Sequence, residues 1–306
     1  MSPSQPTGML PTCSVIIATL DRLDSLRVVL DCLARQTHPA HEILIAAAGD
    51  ASAVEKLAQA HPVAAITRVL AHPVKSSARQ RNAAALHASG EILAFLDDDI
   101  EFGSDLLVRI LGYFARHQPV PGAISARIPA EDRRTPGRFV RAYYRLQAGY
   151  DHPDYGGRLF GPGINCTPVY ASDSPALVPA DWLPATCLFV RAPLFRAERF
   201  PEFDGYSFAE DVHLTARIAR AAPLYFAACC PIQHHSLSSE FKRDLAALTA
   251  GKLRNMRLIA RDILGLRGAE LAWSLLLHRL FLTLATLRTR PPQWPAVLRG
   301  LWRPVP

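Results

Sequence analysis

Residues 91–99 read Glu91-Ile92-Leu93-Ala94-Phe95-Leu96-Asp97-Asp98-Asp99, an apolar run that ends in three consecutive carboxylates. Branched and aromatic residues in so short a run predict a buried strand. Its C-terminal edge then carries concentrated negative charge, and in open α/β sheets that edge is where ligands bind. Adjacent carboxylates repel one another and raise each other's pKa unless a cation relieves them. A hard divalent ion, Mg²⁺ or Mn²⁺, is the natural partner, and it commonly arrives with phosphates. The other reading is a solvated acidic turn bounding the helix that Ser104 would cap.

Outward from this strand the chain alternates. Ser14 to Ala18 is a short apolar strand, and Leu26, Val29, Leu30 and Leu33 recur at helical spacing within a helix from about Ser25 to Arg35. A strand over Glu42 to Ala46, a helix over Val54 to Ala60 and a strand over Ala64 to Val69 follow. Ser76 to Ala88 is alanine-rich and helical, with Gly90 placed as a C-cap. A helix over Ser104 to His117 follows the aspartates. Strands and helices of these lengths imply βαβ units and a parallel sheet, an α/β layer of the nucleotide-binding type.

From Ile128 to Pro184 prolines, glycines and tyrosines cluster, as in Asp154-Tyr155-Gly156-Gly157 and Gly161-Pro162-Gly163. Long irregular segments within a compact domain are usually functional. Regular structure returns with a strand over Cys187 to Arg191, a helix over Val212 to Ala221 and a strand over Leu224 to Ala228. The tail from Phe241 reads as helical. Within it Leu271 to Leu287 is strongly apolar, but His278 and Arg279 interrupt the run. A spanning helix needs about 20 mostly apolar residues, and charge at its centre is costly. The expectation is a helix that packs on the domain or lies on a membrane surface. Arg254, Arg257, Arg261, Arg267, Arg288 and Arg290 would suit an anionic bilayer face; ordinary exposed arginines on a packed helix are the alternative.

Among 306 residues 49% are hydrophobic and 20% charged, which excludes a disordered chain and gives enough apolar material for a substantial core. The formal charge of +7 favours anionic partners: nucleoside diphosphates, nucleic acid or acidic lipids. Nucleic acid rests on charge alone, without a recognisable motif, and is not expected as a partner. Cys13, Cys32, Cys166, Cys187, Cys229 and Cys230 lack C-x-x-C spacing, which argues against zinc and for free thiols in a reducing cytosol. Met1 to Thr12 is polar and proline-rich, without the regions of a signal peptide. The expected location is cytoplasmic, with peripheral contact at the inner face of the cell membrane.

Several segments, in order, resemble family-2 glycosyltransferases. Ser14-Val15-Ile16-Ile17-Ala18-Thr19-Leu20-Asp21-Arg22 resembles their opening strand, and Gln36 with Glu42-Ile43-Leu44-Ile45 the next step. Gln80-Arg81-Asn82-Ala83-Ala84 is similar to the R-N-x-G segment, and 90–99 to G-x-x-I-x-F-L-D-x-D. Ala180-Asp181-Trp182-Leu183-Pro184-Ala185 resembles the V-D-W-L-x-G segment on the acceptor side. Phe203-Asp204-Gly205 and Ala209 to Arg217 resemble F-D-E and G-E-D-x-D-L-x-x-R. The chain departs where the family has D-D-G-S, here Ala47-Ala48-Gly49-Asp50, so the usual base-binding aspartate is absent and Asp50 is its nearest substitute; a solvated turn is the other reading. The family's opening Pro and Tyr are Ala18 and Leu20 here.

The resemblance implies a GT-A fold, a mostly parallel central sheet flanked by helices, over residues 13–240. An arm over 1–12 would precede it and a helical extension over 241–306 follow it. The nucleotide-sugar half would be 13–127 and the acceptor half 128–240. It implies an inverting, metal-dependent transferase, in the setting of bacterial cell-envelope polysaccharide synthesis. The donor would be a nucleotide-sugar and the acceptor a hydroxyl of a glycan or lipid-linked glycan. Asp97, Asp99 and His234 would hold Mg²⁺ or Mn²⁺; Thr19, Asp21, Arg22, Asp50, Arg81 and Asp98 would face the donor. Asp211 would be the general base with Glu210 beside it, although acids at a helix N-terminus are also favoured by its dipole. Asp181 and Trp182 would contact the acceptor, Trp182 as a sugar platform or else as a core residue. A catalytically silent GT-A binding module and a nucleotidyltransferase are the alternatives. The second would want a glycine-rich basic loop, which Ala18-Thr19-Leu20-Asp21-Arg22 is not.

Overall fold

The computed structural model describes residues 9–203, 208–235 and 244–303. Residues 1–8 of the arm, Asp204 and Gly205 of the Phe203-Asp204-Gly205 segment, and 241–243 at the start of the extension lie outside them.

The first half is built from β1 (Cys13–Leu20), α1 (Leu23–Ala34), β2 (Glu42–Ala48), α2 (Ala51–Gln59), β3 (Thr67–Ala71), α3 (Ser77–Ala85) and β4 (Ile92–Asp97). The four strands pair in parallel in the order β3-β2-β1-β4. Side chains alternate across them: Val15, Ile17, Ile43, Ile45, Ala94 and Leu96 fill one core, and Ile16, Leu44, Leu93 and Phe95 the other. A strand buried on both faces must be apolar at every position, which is why these runs are continuous rather than alternating. The strand expected over 64–69 starts with a short 3-10 turn at Ala64–Ile66 and lies at Thr67–Ala71.

The second half adds β5 (Ile100–Phe102), α4 (Leu106–Arg116), β6 (Ala123–Arg127), α5 (Arg138–Ala148), β7 (Leu159–Phe160), β8 (Ile164–Asn165), β9 (Leu177–Ala180), β10 (Cys187–Arg191), α6 (Ala192–Glu198), α7 (Glu210–Ile218) and β11 (Leu224–His234). The sheet continues β4-β10-β6-β11-β5, with β9 also on β11. β6 and β11 run with β4, whereas β10, β9 and β5 run against it. The central sheet is thus mostly parallel, with helices on both faces, and the 128–184 segment contains one α-helix, a 3-10 turn at Pro129–Glu131 and three short strands. β11 is longer than expected because a register shift between Ala227 and Pro231 carries it on to His234. α8 (Leu245–Asp262), α9 (Gly268–Thr289) and α10 (Trp294–Trp302) close the chain. α8 docks through buried Ile259 and through Asn255, whose amide donates to the Phe208 carbonyl at 2.8 Å.

The start of β4 is fixed against β1 by a small polar hub. The Gly90 amide donates to Ser14 Oγ at 2.8 Å, and Ser14 Oγ donates to Glu42 Oε1 at 2.7 Å. A Cβ on Gly90 would stand 2.6 Å from the Ser14 amide nitrogen, a clash with backbone rather than with a movable side chain. Gly90→Ala is therefore expected to cost about 1–3 kcal/mol through overpacking. A urea melt checks this: the midpoint should fall with the slope unchanged.

Candidate active site

β4 ends at Asp97, and Asp98 and Asp99 form the turn into β5. Asp98 and Asp99 are buried and Asp97 is half-buried. Each carboxylate has a polar or cationic partner, and Arg22 serves two of them. Thr19 Oγ1 donates to Asp98 Oδ2 at 2.7 Å. The Arg22 guanidinium reaches Asp98 at 3.1 Å and Asp99 at 3.2 Å. Arg81, from α3, donates to Asp97 Oδ1. Burial nevertheless wins at Asp98, whose pKa lies above the ordinary value despite Thr19 and Arg22.

His234, the last residue of β11, closes the group. Its Nε2 lies 3.4 Å from Asp99 Oδ1 and its Nδ1 lies 3.1 Å from Glu131 Oε1. Hydrogen bonding to Asp99, then to Glu131, pushes the imidazole up to about 10. Potential ligand atoms of Asp97, Asp99 and His234 all lie within 4.8 Å of one another. Two carboxylates and an imidazole suit a divalent cation, whose binding would displace the proton that Asp99 and Glu131 favour on His234. His235 turns elsewhere, to Glu101 at 3.1 Å.

Arg81 also links this group to a second one. Its other nitrogen stands 3.7 Å from Glu210 Oε1, at the first turn of α7. Burial, then the neighbouring Asp211, raises the Glu210 pKa, and Arg81 pulls only partly the other way. Burial also raises Asp211, although its carboxylate accepts from the Val212 amide at 2.8 Å and the Ala185 amide at 3.4 Å. Ala209, immediately before them, has φ of 63°, a left-handed conformation rare for a residue with a Cβ. The family's G-E-D motif has glycine at this position.

The sequence profile described as glycosyl transferase family 2 matches residues 14–167. The chain belongs to that family. It is therefore a glycosyltransferase. The matched segment holds Thr19, Arg22, Arg81 and the three aspartates; Glu210, Asp211 and His234 lie beyond it. Solved glycosyltransferases share the GT-A fold at low identity. A mannosyltransferase, PcManGT from Pyrobaculum calidifontis, in complex with GDP-Man and Mn²⁺, is 18% identical with a TM-score of 0.57, covering 96% of this chain and 88% of that one. TarS 1–349 from S. aureus, in complex with UDP-GlcNAc, is also 18% identical, with a TM-score of 0.56 and coverage of 96% and 82%. GalNAc-T7 with UDP, GalNAc and Mn²⁺ is 13% identical, with a TM-score of 0.56 and coverage of 80% and 47%. No curated protein matches the chain.

Around this family-2 centre the remaining candidate residues take other positions. Asp21, with φ of 52°, accepts the Asp50 amide at 2.9 Å, while Asp50 itself caps α2 by accepting from the Ala53 amide at 3.0 Å. Asp181 accepts the Leu159 amide at 3.1 Å and faces Arg158 at 3.5 Å. Trp182 is buried, and its indole donates to the Cys166 carbonyl at 3.1 Å. That is the core position rather than an exposed platform. Two contributors escaped sequence reading. Gln80 donates to the Thr19 and Ala46 carbonyls, tying together the ends of β1 and β2. Glu131 holds His234 from 103 residues away. Gln80 stands inside a recognisable motif, but nothing local marks Glu131.

A carboxyl group held protonated in the fold binds more protons there than in the unfolded chain. Stability then falls as pH rises above the ordinary value, 4.5 for glutamate. Glu210→Gln removes that slope. The difference in melting temperature between variant and parent should therefore shift toward the variant as pH rises from 4.5 to neutrality; a pH-independent difference would assign Glu210 an ordinary pKa.

Proposed function

We propose that this family-2 glycosyltransferase moves a sugar, with inversion, from a nucleotide-sugar to a hydroxyl of a glycan or lipid-linked glycan. The observation that carries the reading is the continuous chain of contacts Asp97–Arg81–Glu210, which puts the candidate cation ligands beside the buried Glu210–Asp211 pair. Attack by a hydroxyl needs a base within reach of its proton. Asp211 is that base: burial strengthens its hold on a proton, and the Ala185 and Val212 amides aim its carboxylate. Glu210, which accepts from Ser77 Oγ at 3.4 Å, holds the Arg81 side of the pocket.

On the donor side Asp97, Asp99 and His234 would hold Mg²⁺ or Mn²⁺. When bound, the ion supplies charge neutralisation for the departing diphosphate. An imidazole ligand tilts the choice toward Mn²⁺, the ion named with PcManGT and GalNAc-T7. Arg22 and Arg81 add fixed positive charge along the same edge. Two of the similar structures carry different bases, GDP-Man and UDP-GlcNAc. Ala47 and Ala48 offer the base no carboxylate, so base contacts fall to the Asp21–Asp50 corner. Asp181 stands at the acceptor rim, while Trp182 supports it from the core. The setting we propose is the cytoplasmic side of a bacterial cell envelope.

The test combines binding and turnover. A thermal-shift panel of UDP, dTDP, GDP, ADP and CDP, each with and without Mn²⁺, should give one metal-dependent rise in melting temperature. No shift with any nucleotide would favour a silent binding module instead. Asp211→Asn should keep that shift while losing at least about 100-fold in transfer rate, the scale of a general base. Retained turnover would remove Asp211 from the role. Chelation should stop transfer and Mn²⁺ or Mg²⁺ restore it; full activity without metal would overturn the cation site.

A further inference from the structure

We infer that α9 rests its outer face on an anionic lipid bilayer, lying along the surface rather than crossing it. The helix is inverted with respect to a soluble one. Three of its four buried positions are polar, Ser274, His278 and Thr286, with Leu271 the fourth. Its outer face carries Trp273, Leu276, Leu280, Leu284 and Leu287, a spacing of three and four residues that makes one continuous stripe. Trp273 is 58% exposed and Leu284 59%. α5, which packs on α9, adds exposed Phe139 and Leu146. Soluble monomers rarely show so long an apolar stripe without a partner.

Length and composition would let α9 cross a membrane, and only 11% of its apolar window is buried. The polar inner face decides against crossing. Ser274 Oγ donates to Gln147 Oε1 at 2.7 Å, and Gln147 Nε2 donates to the Ser274 carbonyl at 3.0 Å. His278 Nδ1 and the Tyr143 hydroxyl share a bond of 2.6 Å, and Phe281 stacks on Tyr143 with ring centroids 3.9 Å apart. Gln147 and Tyr143 belong to α5. Crossing would strip these bonds and carry Arg279 into hydrocarbon. Lying flat keeps them and buries only the stripe.

Charge selects lipid over a second copy of the chain. From residue 263 to 303 the charged side chains are Arg267, Arg279, Arg288, Arg290, Arg299 and Arg303 against the single carboxylate Glu270. A twofold contact would set like charges against each other with almost nothing to answer them. Anionic headgroups answer them directly, and arginine stems can lie along the apolar zone while their heads reach the phosphates. Trp273 near the start of α9, with Trp294 at the start of α10 just beyond its end, places indoles at both ends of the stripe, where a headgroup boundary favours them. The indole of Trp302 donates to Thr283 at 3.1 Å, so α10 is held against the same helix.

The full chain is tested by flotation with phosphatidylcholine vesicles and with vesicles mixing phosphatidylcholine and phosphatidylglycerol. Binding to the mixed vesicles, weakened by high salt and by omitting phosphatidylglycerol, is expected. The triple variant Leu276→Ser, Leu280→Ser, Leu284→Ser should lose at least about tenfold in partitioning, because each removes buried apolar area. Its melting temperature should remain that of the parent. A milder variant, Leu284→Ser alone, should lose binding in part and guards against misfolding of the triple. Quenching of Trp273 by brominated acyl chains, lost in Trp273→Phe, places the face in the headgroup boundary. Failure of the parent to float, or equal flotation of the triple variant, would overturn the inference. So would a detergent-free dimer that dissolves in the triple variant without any vesicle binding. None of these readouts depends on sugar transfer, so the surface and the transferase mechanism stand or fall separately.

Discussion

Negative charge at the end of β4 must be compensated, and the architecture around it follows from how that is done. Asp98 is the most demanding of the three aspartates, because a buried carboxylate costs several kcal/mol unless it is bonded and paired. Its partners come from the end of β1 and the turn after it, Thr19 and Arg22. That turn is held in a left-handed kink at Asp21, whose carboxylate accepts an amide from the turn after β2. Gly49 sits against the same carboxylate with φ of 83°, where a side chain would collide with it. Three strand ends are thereby fixed relative to one another by one acidic run. The parallel pairing of β1, β2 and β4 supplies the frame, and the polar contacts at its edge set the detail.

Legibility in the sequence followed the range of the interactions. The strands β1, β2 and β4 were readable because burial on both faces demands uninterrupted apolar residues, and the acidic ending of β4 was readable because its three charges are adjacent. β6 was not: Ala123-Ile124-Ser125-Ala126-Arg127 has little intrinsic strand character and becomes a strand through pairing with β10 and β11 on its two sides. The antiparallel insertion of β10 between β4 and β6 likewise depends on partners far away in the chain. α5 was hidden among the prolines and glycines of the 128–184 segment, since its exposed Phe139 and Leu146 break the polar-outside pattern that marks a surface helix. At the site, Asp97, Asp99, Arg81 and His234 could be nominated through motif resemblance. The bond from Glu131 to His234 could not, because it is made only when β11 continues past its register shift.

The extension shows the same dependence on environment. α9 is apolar on the side where a soluble helix is polar, and hydrogen-bonded on the side where it would be greasy. Composition alone leaves its packing ambiguous. The bonds from Ser274 and His278 to α5 resolve which face turns inward.

Arg81 is a single cation shared between two acidic neighbourhoods. When it leans toward Asp97, Glu210 is less well compensated and holds its proton more firmly; when Asp97 is relieved of it, the reverse follows. Occupying Asp97 with a cation would therefore change how firmly Glu210 holds its proton. By the reciprocity of linked equilibria, cation affinity at Asp97 would then vary with pH through Glu210. On the function proposed above, a cation bound at Asp97 would then be felt as proton exchange at Glu210.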